Sequence, residues 1–157
     1  MSKTTPATLT LTKAGIPFTL AHYDYDPDAE RVGLQAAEAM GVSPSEVFKT
    51  LMAELDGKPV CAIVPSDEEV NMKKLAAALG GKSAHMMRPA DAERLTGYKV
   101  GGISPLGQRK MVPTALDELA GLYDEIFFNG GQRGLQIRIR PGDLLKALGC
   151  TTADLVR

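Results

Sequence analysis

Apolar positions recur along this chain at two different spacings, and the switches between them divide it into short helices and short strands. Residues 6–14 begin behind Thr5 with Pro6 at the first helical position and stop at Gly15, which predicts a short helix. Phe18, Leu20 and His22 then alternate with Thr19, Ala21 and Tyr23, as in a strand with both faces partly covered. The acidic turn DYDPDAE carries the chain into a second helix over 30–40, closed by Gly41. Ser43 and Glu46, with Pro44 between them, have the spacing of a capping box and support one helical turn before the period changes.

Residues 47–53 (VFKTLMA) are apolar on both faces, run to the hairpin signal Asp56-Gly57, and resume as 59–64 (PVCAIV). That is the pattern of two paired interior strands. Lys49 interrupts it, on the face it shares with Val47 and Leu51. Its ammonium must either reach out to water or project into a polar cleft; an edge-strand lysine normally guards against aggregation, but apolar neighbours on both faces argue against an open edge. Asn71 is a good N-cap for a helix over 72–79, ended by Gly80 and Gly81. A short strand over 83–87 and a helix over 89–95 follow. Beyond residue 110, Met111 and Val112 begin a strand, and 124–128 (DEIFF) and 135–139 (LQIRI) form a hairpin across the turn Asn129-Gly130-Gly131. A helix over 141–148 ends at Gly149. Interleaved helices and hairpin-joined strands predict an α+β fold: a mixed, largely antiparallel sheet or barrel with helices packed around it.

Composition narrows the classes. The chain has 157 residues, 44% hydrophobic and 24% charged, enough for one domain with its own core and unlike a disordered chain. A net charge of −1 argues against a nucleic-acid clamp built on one large basic surface. Cys61 and Cys150 form no CxxC, and His22 and His85 stand apart, so no metal site and no disulfide framework is expected. The polar start MSKTTPATLTLTKAG is unlike a signal peptide and no apolar run has membrane-spanning length, which predicts a cytoplasmic protein.

The candidate chemistry lies in residues 96–110, TGYKVGGISPLGQRK. Gly101 and Gly102 let a ligand approach the main chain, and Pro105 fixes its path, so this loop can aim peptide N–H groups at one point. The same residues also suit an ordinary turn.

FKTL at 48–51, NMKKLAAALGGK, the GxxxP-containing loop and the turn NGGQRGL together resemble the YbaK branch of the YbaK and prolyl-tRNA synthetase editing-domain superfamily, over nearly the whole chain. The resemblance implies one free-standing domain over 1–157, a trans-editing deacylase that cleaves cysteine from proline tRNA. It acts on the acceptor end without cofactor or metal, and possible help comes from prolyl-tRNA synthetase. By analogy Lys49 anchors the terminal adenosine or its phosphate. Gly101, Gly102, Ile103, Ser104 and Pro105 hold the aminoacyl carbonyl, and Tyr23, Thr50, Tyr98, Arg133 and Gln136 contact substrate. Gln136 stands where the family often has an acidic residue, and Gln132 where it often has a basic one.

An aminoacyl ester is already activated, so positioning and main-chain oxyanion donors suffice, and no Ser/His/Asp or Cys/His set is evident. The substrate's own thiol is a candidate nucleophile. Three alternatives stay open: a deacylase for alanine or serine, a Ser104–Lys49 hydrolase, and a non-catalytic module that binds an aminoacyl group or nucleotide.

Overall fold

A computed structural model describes residues 4–28 and 31–157. The elements follow in the order α1 (Pro6–Ala14), β1 (Thr19–His22), α2 (Val32–Met40), a 3-10 turn (Pro44–Glu46), β2 (Phe48–Leu55), β3 (Lys58–Pro65), α3 (Met72–Ala78), β4 (Ala84–Met86), α4 (Pro89–Thr96), β5 (Thr114–Asp117), a second 3-10 turn (Glu118–Leu122), β6 (Ile126–Asn129), β7 (Leu135–Ile139), α5 (Pro141–Leu148) and β8 (Thr151–Ala153). The caps explain the helix limits. Thr5 and Asn71 accept from the first-turn amides of α1 and α3, and α1, α2, α4 and α5 end on a glycine in the left-handed region. The expected start of α2 at Glu30 lies outside the described residues.

Two sheets form, in strand orders β1-β7-β6 and β4-β2-β3-β5-β8. The hairpins β2/β3 and β6/β7 and the pairs β1/β7 and β2/β4 are antiparallel, whereas β3/β5 and β5/β8 are parallel. The fold is therefore mixed and largely antiparallel, as the interleaving predicted, and it stays open instead of closing into a barrel. A bridge between Val47 and Phe127 brings the two sheets together just before β2.

The period of two along β3 separates two cores. Cys61 and Ile63 join Phe48, Met52, Leu116, Phe128, Ile137 and Leu144 in one cluster. Val60, Ala62 and Val64 pack with Leu75, Ala115, Leu155 and Val156 in the other. A strand this apolar on both faces is an interior strand.

Two expectations need correction. The strand placed at Met111 and Val112 begins at Thr114 instead, because Pro113 has no N–H to give to a ladder and contributes only its carbonyl, which accepts from Cys61 N at 2.9 Å. The terminal strand β8 was not expected, since three residues carry too little periodicity to register. It is held by Asp117, which is fully buried and accepts from Leu119 N at 3.0 Å and Leu155 N at 2.9 Å. Replacing Asp117 with Ala strands both amides. We expect a loss of about 1–3 kcal/mol in urea unfolding, with an unchanged m-value.

Candidate functional site

A cavity of about 320 Å³ opens where β2 passes β6 and β7 and meets the start of α2 and the 96–110 loop. Its walls include Arg31, Gly33, Lys49, Thr50, Gly101, Ile103, Asn129 and Gln136. The gap comes from the sheet itself. Strand β4 covers β2 only along Ala53–Leu55, and the last contact toward the N-terminus is Met87 N to Met52 O. Because antiparallel ladders alternate, Thr50 directs its main-chain groups to the same uncovered side. Both faces of β2 thereby reach the cavity, Lys49 from one and Thr50 from the other.

The helix side closes tightly. A Cβ at Gly33 would fall 2.2 Å from Ser66 Oγ, so glycine alone lets the first turn of α2 sit against the end of β3. Ser66 Oγ in turn donates to Val47 O at 2.5 Å, so this hydroxyl is engaged.

The opposite wall is the 96–110 loop, and it is strapped down. Asn129 Nδ2 donates to Gly101 O at 2.9 Å, while Asn129 Oδ1 accepts from Gly131 N and Gln132 N. Arg133 Nε donates to Val100 O at 2.9 Å. Gly101 has φ +91, and a Cβ there would lie 2.6 Å from the Tyr25 hydroxyl; one at Gly102 would lie 2.9 Å from Arg133 N. The Gly102 amide is spent on Lys99 O at 2.8 Å, whereas those of Gly101 and Ile103 meet no acceptor among the described residues. Gly101 and Ile103 both line the cavity.

Three polar atoms lie buried without a partner near the cavity: Tyr23 Oη, Thr50 Oγ1 and Gln136 Oε1. Tyr23 Oη rests beside Gln136 without completing a hydrogen bond. Buried polar atoms normally find partners, and a cluster that does not is a place where a ligand can supply them. Burial raises the Tyr23 pKa, so its phenol stays protonated.

Lys49 and Arg31 are the cations of the site. Burial first, and repulsion from Arg31 second, lower the Lys49 pKa below the ordinary lysine value, opposed by Glu69, Asp67 and Glu68. Among the described residues the walls hold no carboxylate, imidazole or thiol.

The structure thus brings Lys49, Thr50, Gly101, Ile103 and Gln136 to one cavity, with Tyr23 beside Gln136. Other candidates stand back from it. Tyr98 is buried and its hydroxyl donates to Leu106 O at 2.6 Å, bracing the loop from inside; desolvation pushes its pKa up to about 12. Ser104 is fully buried with Oγ accepting from Leu106 N at 3.3 Å, so it turns into the loop and not toward Lys49. Pro105 is buried with it. Gly102 packs on the Gln132–Arg133 backbone, and Arg133 clasps the carbonyl of the lining residue Val100 from the cavity's rim. Cys61 is a core residue whose thiol burial pushes up to about 12. Sequence reasoning missed Asn129, read only as a turn residue, and also Arg31, Gly33 and Tyr25. The tight spacing NGG was a signal for Asn129, because a side-chain amide there can cap its own turn.

The aminoacyl-tRNA editing domain model matches residues 26–147. The chain belongs to the aminoacyl-tRNA editing domain family. Over 120 residues it is 41% identical to a protein of Enterococcus faecalis provisionally named Cys-tRNA(Pro)/Cys-tRNA(Cys) deacylase EbsC, covering 76% of this chain and 73% of that one. It is 26% identical over 141 residues to the multifunctional Ser/Thr-tRNA deacylase ProXp-y of Escherichia coli, covering 87% and 82%. A crystal structure provisionally described as a trans-editing enzyme for prolyl tRNA synthetase superposes with a TM-score of 0.83 at 25% identity, over 99% of each chain.

Within this editing domain the part-buried ammonium of Lys49 has a stability cost. A lysine whose folded pKa is lowered binds fewer protons folded than unfolded between the two values, so stability rises with pH through that window. Below it, the full penalty of the desolvated ammonium remains. Lys49→Met is therefore expected to raise the melting temperature at neutral pH, with the gain shrinking as pH climbs toward the unfolded lysine value of 10.5. For the loop, Gly101→Val, strained at φ +91 and pressed against Tyr25, should distort the loop and lower any activity of the cavity by more than Ser104→Ala does, as read from initial rates of the two variants.

Proposed function

We propose that this editing domain is a trans-acting deacylase that removes cysteine from proline tRNA, with the aminoacyl ester lodged between Lys49 and the loop amides of Gly101 and Ile103. The observation that carries the reading is the cavity's chemistry. It offers a partly desolvated cation, two main-chain donors and unpartnered polar atoms, but no side-chain base among its described walls. Such a site suits a reaction whose electrophile is already activated and whose charge builds on one oxygen.

Lys49 and the two amides stabilise that oxygen. The α-amino group and the cysteine side chain meet Gln136 Oε1, Thr50 Oγ1 and Tyr23 Oη. The substrate thiol attacks the ester carbonyl, the new C–S bond forms as the C–O bond to ribose breaks, and the thiol proton ends on the released ribose hydroxyl. Products are a cyclic thiolactone and free tRNA. The thiol and the carbonyl belong to the same cysteinyl group, so the step is intramolecular from the start, and the protein contributes by holding the thiol in the attacking geometry.

A second sieve is needed because a synthetase pocket separates side chains of similar size by only about 1–3 kcal/mol. Prolyl-tRNA synthetase is the partner this reading implies, in the cytoplasm; no helix among the described residues is long and apolar enough to cross a membrane. The polar cavity atoms also suit a hydroxyl, so seryl-tRNA is the rival substrate, as the 26% identical relative's name suggests.

The test is a deacylation panel with cysteinyl-, alanyl-, seryl- and prolyl-tRNA, run with and without prolyl-tRNA synthetase. Cysteinyl-tRNA should be cleaved fastest, and Lys49→Ala should lower the rate by roughly 10²–10³-fold, the usual effect of losing one oxyanion donor. An S-blocked cysteinyl ester should resist. Cleavage of the blocked ester at the same rate would remove the thiol mechanism, and a rate indifferent to Lys49→Ala would remove the site.

A further inference from the structure

Outside the cavity, one exposed cation is held in a way that its surface position does not require. Arg133 sits on the turn between β6 and β7, with its guanidinium carbon 5.2 Å from the centroid of the Tyr25 ring. Its Nε is committed to Val100 O at 2.9 Å. Tyr25 is itself pinned, because the ring packs so closely on Gly101 that a Cβ there would overlap its hydroxyl. Two other chain segments therefore fix one guanidinium. An exposed arginine normally keeps its rotamer freedom, and this one has surrendered it before any ligand is bound.

Among the described residues no carboxylate meets Arg133, although Asp24 and Asp26 flank Tyr25 in the chain. With Nε used, the two terminal nitrogens remain as a planar pair of donors, the fork that matches a phosphate. Position decides which phosphate. Val100 lines the cavity and Arg133 holds its carbonyl, so the guanidinium stands at the cavity rim. An ester lodged inside places its ribose at that rim, and the first anion outside is the phosphodiester that joins the terminal nucleotide to the next.

We propose that Arg133, oriented by Tyr25 and Val100, is the seat for this phosphodiester in the single-stranded 3′ end of the RNA. Arg133 is a positioning residue, and the inference rests on the deacylase reading only for the choice of RNA end. A single fixed contact of this kind reconciles RNA recognition with a net charge of −1.

The experiment measures affinity for an uncharged acceptor-stem minihelix with a single-stranded 3′ end, as a function of salt. It compares the full chain, Arg133→Ala, Arg133→Lys and Tyr25→Ala, with a blunt-ended minihelix as the control. Loss of one single-strand phosphate contact makes the log–log salt slope shallower by about 0.7. Arg133→Ala should show that shift and bind about tenfold more weakly at low salt. Arg133→Lys should keep the slope but not the affinity, since it loses the clasp and the stack. Tyr25→Ala should weaken binding at unchanged slope, and the blunt control should not respond to Arg133.

A weakened Arg133→Ala with an unaltered slope makes the residue merely structural and overturns the proposal, as does a wild-type chain that does not distinguish the two minihelices. Because the RNA carries no ester, the outcome separates from catalysis. A chain that cleaves cysteinyl-tRNA without an Arg133 slope effect loses this inference alone. One that shows the slope effect but cleaves nothing loses the deacylase reading alone.

Discussion

Asn129 holds the site together. Its side chain accepts two amides of its own turn and donates to Gly101 O, so a single buried amide group joins the β6–β7 hairpin to the loop that walls the cavity. The rest is arranged around this strap. Gly102 must lack a side chain because the loop lies directly on the Gln132–Arg133 backbone, and Thr5 Oγ1 reaches the same turn by donating to Gly130 O at 2.5 Å. Loops with this much glycine ordinarily sample many conformations. This one is strapped to the β6–β7 turn through Asn129 and Arg133, so its main chain is held in one conformation.

The small sheet and the large sheet serve different ends. The large sheet, with a core on each face, supplies rigidity, and β2 runs out of it past the end of β4. The small sheet brings Gln136 and Asn129 up to that exposed stretch, with Tyr23 beside Gln136 just past the end of β1. Lys49 is acceptable there because the cavity is neither fully buried nor fully wet. Its lowered pKa is the trace of that compromise, as is the run of carboxylates at Asp67, Glu68 and Glu69 that partly offsets it.

Much of this was legible in the sequence, and the boundary of legibility has physical causes. Helix ends were readable because caps and glycine stops are local chemistry, as at Thr5, Asn71 and Gly149. The β2/β3 and β6/β7 hairpins were readable because register follows from the alternation and the turn. Parallel pairings β3/β5 and β5/β8 were not, since nothing local joins strands so far apart in the chain, and Pro113 disguised where β5 starts. Lys49 announced itself as a charge in an apolar strand. Ser104 and Tyr98 were less transparent: the loop's sequence names its residues but not which of them turn inward, and both turn inward to brace it. Arg31 and Gly33 carried no motif at all and came to the cavity only through the packing of α2 on Ser66.

The short reach of β4 has an implication for how such a fold can diversify. Where β4 stops, Thr50 turns its main-chain groups to the cavity, and no substitution short of proline removes them. Selectivity must then be written on the facing strand, where Gln136 stands, and just past β1 at Tyr23. A fixed half of main chain and an editable half of side chains leave such a scaffold free to change what its cavity accepts without losing its frame.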